Sequence, residues 1–276
     1  MVSEPAAAPC EPPNVVEFRN VTKRFGSLTV IRDVTFCVPD LPNKGEFVAI
    51  LGPSGCGKST VLRLIAALPP HYPATEGTVL VGGKPVGPPA ADRSMVFQDY
   101  TSFDNRSVED NVAFGLECRG VPARQRREQA REWIKKVGLD VKRDALKFPS
   151  ELSGGMRQRV AIARTLILTP RIILMDEPFG ALDPTTRLHM QELLVELWKE
   201  AQATVFFVTH SIEEAVYLGD RVYVFSSSPG TIIKEMVVPP PTHPPKEMLR
   251  ERSFVDRVCE IRDLMDNLAT STRAGD

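Results

Sequence analysis

The chain has 276 residues, of which 42% are hydrophobic and 25% charged, with a formal net charge of −1. That is long enough to bury a full core and ordinary for a globular protein, while the near-zero net charge gives no general attraction to nucleic acid. No apolar run approaches the roughly 18 residues that a membrane-spanning helix needs, and the cysteines (Cys10, Cys37, Cys56, Cys118 and Cys259) form no CxxC pair, which predicts reduced thiols and neither a disulfide frame nor a zinc site.

Residues 1–13 are rich in Ala and Pro, lack the apolar segment of a signal peptide, and are expected to form a disordered leader. Residues 15–18, 28–31 and 34–38 read as strands, with a turn over 21–26 that exposes Phe25. Phe47–Leu51 is a short apolar run, predicted as a buried strand, and residues 61–68 read as a helix. Between them stand Gly52, Pro53, Ser54, Gly55, Cys56, Gly57, Lys58, Ser59 and Thr60. Strand, glycine-rich loop and helix are the setting that a P-loop requires. Its glycines let successive backbone N–H groups curl around a phosphate without Cβ clashes, and the helix N-terminus adds free donors and a positive dipole end. Lys58 can reach the β- and γ-phosphates, and the Ser59 hydroxyl can ligate Mg²⁺. Nucleotide phosphate binding is the expectation. Cys56, beside Lys58 and a helix N-terminus, is expected to have a depressed pKa and to be reactive.

A Pro/His/Tyr insertion follows at residues 68–73, then a strand and tight turn over 78–83, and a strand over 94–97 that ends at Gln98. From 107 to 165 the periodicity is helical, with Ser107 as a candidate N-cap and Gly138 as a stop after an amphipathic helix over 124–137. The basic cluster of that helix (Arg124, Arg126, Arg127, Arg131, Lys135 and Lys136) reads first as a solvated face and second as a face toward phospholipid or a membrane partner. Residues 152–155 open a helix that runs to about 168. A buried strand over 171–175 ends in Asp176 and Glu177, and another over 204–208 ends in Thr209 and His210. Helices are predicted over 188–201 and 212–218, and a strand over 221–225. Such alternation argues for a mostly parallel sheet in an α/β core, with the helical block as a subdomain. Residues 239–245 form a stiff proline spacer. A final helix carries Phe254, Val258, Ile261, Met265 and Leu268 on one face, a stripe suited to core packing or docking.

Next to a P-loop, an acid at a strand end has a role waiting for it. Asp176 can hold Mg²⁺ directly or through water, and Glu177, one step further, is the candidate to polarise an attacking water. Gln98 and His210 also sit at strand ends. Alone, each is more often surface or structural, and each gains weight from its companions. Ser153, Gly154 and Gly155 make a second helix N-terminus suited to an anion. One nucleotide does not need two such sites from one chain, so a dimer is expected in which the second site closes on the partner's nucleotide.

Taken together, GPSGCGKST, Gln98, LSGGM with RQRVAIAR, IILMDEPFGALD and VTH closely resemble the nucleotide-binding subunit of an ABC transporter over roughly residues 15–235. The resemblance implies an α/β P-loop NTPase core with a mostly parallel sheet, an antiparallel β subdomain and an inserted helical subdomain. It places an ATPase domain at 14–238, its helical subdomain at about 99–168, and the spacer and C-terminal helix at 239–276. Walker A falls on 52–60, the Q-loop on Gln98, the signature on 152–156, Walker B on 172–176 and the D-loop on 181–183, ending at Asp183. Glu177 becomes the catalytic acid, His210 the switch histidine, and Ser59, Asp176 and Gln98 the metal-side residues. Phe25 becomes the ring that stacks on adenine, where Tyr is commoner; stacking needs only the ring face. Also implied are ATP and Mg²⁺, a homodimer, integral membrane permease subunits, an extracytoplasmic solute-binding protein, no nucleic acid partner, and a peripheral place on the cytoplasmic face of the cell membrane. Residues 91–100, 110–116, Met156 and 212–216 are similar to the nitrate/sulfonate/taurine importer branch. The chain departs from that branch at 101–107, where an apolar Phe-Pro-Trp-like run is usual, and at the 68–73 insertion. The ATPase of an exporter or lipid-trafficking system, or a non-transport ABC ATPase, are the alternatives. Cargo would be selected by other subunits.

Overall fold

The apolar runs assemble into two sheets. The computed structural model describes residues 13–42, 44–99 and 102–273. Strands β1 (Asn14–Phe25), β2 (Leu28–Pro39), β4 (Glu76–Val81) and β5 (Lys84–Pro85) form an antiparallel sheet in the order β2-β1-β4-β5. Strands β3 (Phe47–Leu51), β6 (Arg93–Val96), β7 (Ile172–Asp176), β8 (Thr204–Thr209), β9 (Arg221–Phe225) and β10 (Ile232–Val237) form the second, in the order β10-β9-β3-β8-β7-β6. From β9 to β6 the pairs are parallel, and β10 closes the edge antiparallel. Strands β3, β7 and β8 are buried along their whole length, as parallel strands covered on both faces must be.

Helix α1 (Lys58–Ile65) follows β3. Between β6 and β7 come α2 (Val108–Cys118), α3 (Ala123–Lys136), α4 (Val141–Asp144) and α5 (Gly154–Leu166), the helical insertion that the sequence predicts. Ser107 caps α2 by accepting a bond from the Asp110 N–H, and Gly138 ends α3 with φ +73°. The basic face of α3 is largely solvent-exposed, as the first reading expects, and two of its arginines also pair within the insertion. Arg131 and Arg127 reach the buried carboxylate of Glu109 on α2 at 2.6 and 3.4 Å. The ion pairs tie two helices of the insertion together.

After β7 and β8 come α6 (Pro184–Ala201) and α7 (Ile212–Leu218), and the chain ends in α8 (Pro245–Met248) and α9 (Arg252–Arg273). On α9, Phe254, Val258 and Ile261 join the core, Met265 packs against it, and Arg262 bonds to Glu213 of α7 at 3.0 Å. The last helix therefore folds back onto its own chain. Residues 1–12 of the predicted leader lie outside the described residues, as does the side chain of Leu268 in the predicted stripe.

Three expectations are corrected. Residues 21–25 belong to β1, and the turn is confined to Gly26 and Ser27. Register shifts near Asn20 and the left-handed backbone of Asn20 and Asp33, whose side chains bond at 2.8 Å, disturb the alternation that marks a strand. Strand β10 went unseen because this edge strand is half-exposed and carries no clean alternation. Cys37 is disulfide-bonded, whereas Cys56, Cys118 and Cys259 are free, so the thiols are not uniformly reduced.

Candidate functional site

The site lies at the carboxyl ends of β3, β8 and β7, which are neighbours in the parallel sheet. This is the edge where open α/β sheets bind ligands. The loop after β3 turns at Gly55 and Gly57, with φ +78° and +96°. A Cβ on Gly57 would lie 2.5 Å from the Ile31 side chain. The β1–β2 hairpin therefore presses directly on the loop, and only glycine fits. Phe25, half-exposed, ends β1 at the turn of that hairpin.

Lys58 is 4% exposed, and its Nζ donates to the carbonyls of Gly52 and Pro53 at 2.8 Å each. The same ammonium lies 3.9 Å from Glu177 Oε1. Ser59 Oγ donates to Asp176 Oδ1 at 2.7 Å. Asp176 is 3% exposed, and burial pushes its carboxyl above the ordinary range against the Ser59 bond and Arg63, 3.9 Å away. A buried carboxylate touching a hydroxyl is a pair of hard oxygen donors. Mg²⁺ typically takes one or two protein oxygens and completes its shell with water and phosphate, so these residues fit that ion.

Glu177 has φ +44°, a left-handed backbone that a non-glycine residue adopts at a cost of about 1–3 kcal/mol. Its N–H donates to the Val208 carbonyl at 3.1 Å, which fixes the turn out of β7 against β8. Its Oε2 lies 3.1 Å from Nδ1 of His210. The His210 loop is itself pinned. Thr209 Oγ1 donates to Glu214 Oε2 at 2.5 Å and accepts from the Ser211 N–H at 3.0 Å. Glu214 is buried, which pushes its carboxyl up, and it also accepts from Gln191 Nε2 at 3.3 Å. The sequence marks Thr209 only as a strand end and assigns Glu214 and Gln191 no role. Its one available signal was an acid in the first turn of the helix that follows His210.

Lys58, Ser59, Asp176, Glu177 and His210 thus come together. Gln98 is exposed beyond the end of β6, and among the described residues no hydrogen bond joins it to Ser59, Asp176 or Glu177. Ser153 caps α5, accepting from the Met156 N–H at 3.3 Å. Gly154 has open space where a side chain would stand, and a Cβ on Gly155 would meet Thr186 of α6 at 3.0 Å. Asp183 caps α6 by accepting from the N–H groups of Thr185 and Thr186, and bonding to Thr186 holds its carboxyl below the usual range. Among the described residues, neither 153–155 nor Asp183 bonds to the P-loop of the same chain.

Cys56 corrects an expectation. Its thiol is 1% exposed, and burial pushes its pKa up despite the opposing charge of Lys58. A thiol needs access and thiolate character to react, and Cys56 has neither. Under native conditions maleimide is expected to label the exposed Cys118 and Cys259 and to spare Cys56 until the chain is unfolded, as peptide mass spectrometry would show. Rapid native labelling of Cys56 that MgATP blocks would restore the original expectation.

Residues 32–180 match the family described as ABC transporter. The nitrate import ATP-binding protein NrtD of Synechocystis sp. is 44% identical over 246 residues, covering 87% of this chain and 89% of the relative. The taurine import ATP-binding protein TauB of Rhizobium johnstonii is 52% identical over 194 residues, covering 70% and 72%. A dimeric ATP-binding cassette, MJ0796, solved in a post-hydrolysis state with ADP and Pi, matches with a TM-score of 0.68 at 33% identity, covering 81% of this chain and 99% of that one.

Proposed function

This chain belongs to the ABC transporter family as an ATP-binding subunit with ATPase activity, and from that premise we propose that it powers uptake of a small solute through separate membrane subunits. The observation that carries the mechanism is the contact of Glu177 with His210 at 3.1 Å, beside Lys58 and the P-loop. Glu177 is the group that polarises water for attack on the γ-phosphate, and His210 holds its carboxylate in place. Lys58 and the N–H groups of 52–60 hold the phosphates. Ser59, Asp176 and Gln98 would hold Mg²⁺, which would supply neutralisation of the phosphate charge. Phe25 stacks on the adenine.

The chain works as a homodimer. Ser153, Gly154 and Gly155 cap the nucleotide bound by the partner's P-loop, and Asp183 lies at the same junction. Two things support this: the open helix N-terminus at Gly154, unbonded to its own P-loop, and the dimeric state of the related cassette. Among the described residues no helix is long and apolar enough to cross a membrane. By likeness to the import ATP-binding relatives, the subunit is placed peripherally, at the cytoplasmic face, against permease subunits that an extracytoplasmic solute-binding protein supplies. The two importer relatives carry different cargo names, nitrate and taurine, as expected if cargo is selected elsewhere.

The permease contact falls on a groove of 390 Å³ between β6 and the helical insertion, lined by Met95, Phe97, Phe103, Phe114, Arg164 and Leu168. Phe103 is 37% exposed and packs on Phe114 at 4.4 Å between centroids. Phe103→Asp puts a charge into that apolar floor. It is expected to leave basal ATP hydrolysis of the isolated subunit intact while reducing co-purification with the membrane subunits several-fold. Unchanged assembly and uptake would move the contact elsewhere. The import reading itself is tested with the purified complex in vesicles of known orientation. ATP on the side of this subunit is expected to drive solute toward that side, and net movement the other way would make it an exporter.

A further inference from the structure

The insertion at 68–73 takes no part in the chemistry above, yet it is firmly held. Leu68 donates its N–H to the Arg63 carbonyl at 2.9 Å, and its own carbonyl accepts from His71 and Tyr72 at 3.0 Å each. The Tyr72 hydroxyl donates to the Val86 carbonyl at 3.0 Å. A segment anchored at both ends presents His71 in one orientation.

That orientation meets Phe25. The imidazole and the phenyl ring form a T-shaped pair, with centroids 5.1 Å apart and planes at 76°, a geometry that aromatic pairs favour. The second neighbour of the ring also belongs to the insertion's network. Lys23 Nζ lies 5.1 Å from the Phe25 centroid and donates to the Pro73 carbonyl at 2.8 Å. Arg63, one turn after Ser59 on α1, places Nη1 3.4 Å from His71 Nε2 and Nη2 3.9 Å from Asp176 Oδ2. A guanidinium can only donate, so Nε2 accepts and the proton sits on Nδ1. Burial first, and then the charges of Arg63 and Lys23, hold His71 below the ordinary histidine range, so the ring is neutral. One guanidinium thus spans the imidazole beside Phe25 and the carboxylate proposed for the metal.

We propose that His71 is a positioning residue for the nucleotide base: it braces Phe25 through this T-shaped contact, so that the ring is already placed when adenine arrives. This rests on the assignment of Phe25 to adenine. A ring held in place before binding loses less rotamer freedom when the base stacks, and the gain falls on affinity, not on the chemical step. A merely space-filling His71 would show no preference for ligands that carry a base.

The test uses the full chain with four variants: His71→Ala, His71→Phe, Phe25→Ala and the double variant His71→Ala with Phe25→Ala. Affinity for ADP is measured by calorimetry, KM and kcat for MgATP by phosphate release, and inorganic tripolyphosphate serves as the probe without a base. His71→Ala is expected to weaken ADP and raise KM for ATP by about three- to tenfold, with kcat at saturation and tripolyphosphate inhibition preserved. His71→Phe, which keeps an aromatic edge, is expected to recover most of that loss. In the Phe25→Ala background, His71→Ala is expected to add nothing, since the two act as one unit. If Phe25→Ala weakens ADP and His71→Ala does not, the positioning role is wrong and the adenine assignment stands. If Phe25→Ala changes nothing, the adenine assignment is wrong and the proposal falls with it. Equal losses for ADP and tripolyphosphate would make His71 a prop for the P-loop and overturn the proposal. Should His71→Ala fail to fold, His71→Gln, which keeps an acceptor for Arg63 without the ring, takes its place with the same expected loss.

Discussion

Glu177→Gln is expected to bind MgATP as the wild type does and to hydrolyse it about a hundredfold more slowly or worse, the usual cost of losing a general base. The substitution keeps the shape of the side chain and removes its charge. It leaves Ser59 and Asp176 bonded to each other at 2.7 Å, so the groups suited to the metal are untouched. It leaves the backbone bond from residue 177 to the Val208 carbonyl, so the left-handed turn survives. What disappears is the carboxylate 3.1 Å from His210 and 3.9 Å from Lys58. An amide cannot accept a proton from water, so the barrier rises in the chemical step while binding is unchanged. With hydrolysis blocked, ATP should accumulate between two subunits, giving a dimer on size-exclusion chromatography that the wild type shows only transiently. Turnover within a few-fold of wild type would remove Glu177 from its role.

The parts of this site that the sequence made legible are those whose chemistry demands neighbours along the chain. A phosphate cradle needs consecutive N–H groups, so 52–60 stand out. Asp176 and Glu177 adjoin at the end of one apolar strand, so both were readable beside a P-loop. The pairing of Glu177 with His210 was not readable as a contact. It spans 33 residues and exists because β7 and β8 are adjacent in the sheet, an order that no local pattern states. Cys56 failed for a related reason. Its sequence neighbour Lys58 suggested a lowered pKa, but the burial that raises it comes from distant segments. A Cβ on Gly230 would stand 2.0 Å from the Cys56 carbonyl, and one on Gly52 would touch both the Cys56 sulfur and Phe225. Charge proximity was visible in the sequence, and desolvation was not. The bridge from Arg63 to His71 and Asp176 follows the same rule. Only its helical half, Ser59 and Arg63 four residues apart on α1, had a local signal.

Mixing two inactive variants, Lys58→Ala and Ser153→Arg, is expected to restore ATP-dependent dimerisation that neither shows alone. Lys58→Ala removes the charge that the P-loop closes around, in a loop where Nζ holds two carbonyls at 2.8 Å. Ser153→Arg removes the hydroxyl that caps α5 and puts a long cation where the partner's nucleotide should dock. If each nucleotide lies between Lys58 of one protomer and Ser153 of the other, both homodimers are defective at both sites. The mixed dimer differs. The P-loop of the Ser153→Arg chain faces the intact Ser153 of the Lys58→Ala chain, and that site is whole, while the second site carries both lesions. If Lys58 and Ser153 served one nucleotide within a single chain, no mixture could rebuild a site. Association, scored by crosslinking with ATP present, is the primary readout, because hydrolysis can require both sites to be sound. A mixture that dimerises no more than either variant alone, under conditions where the wild type does, would refute the composite site.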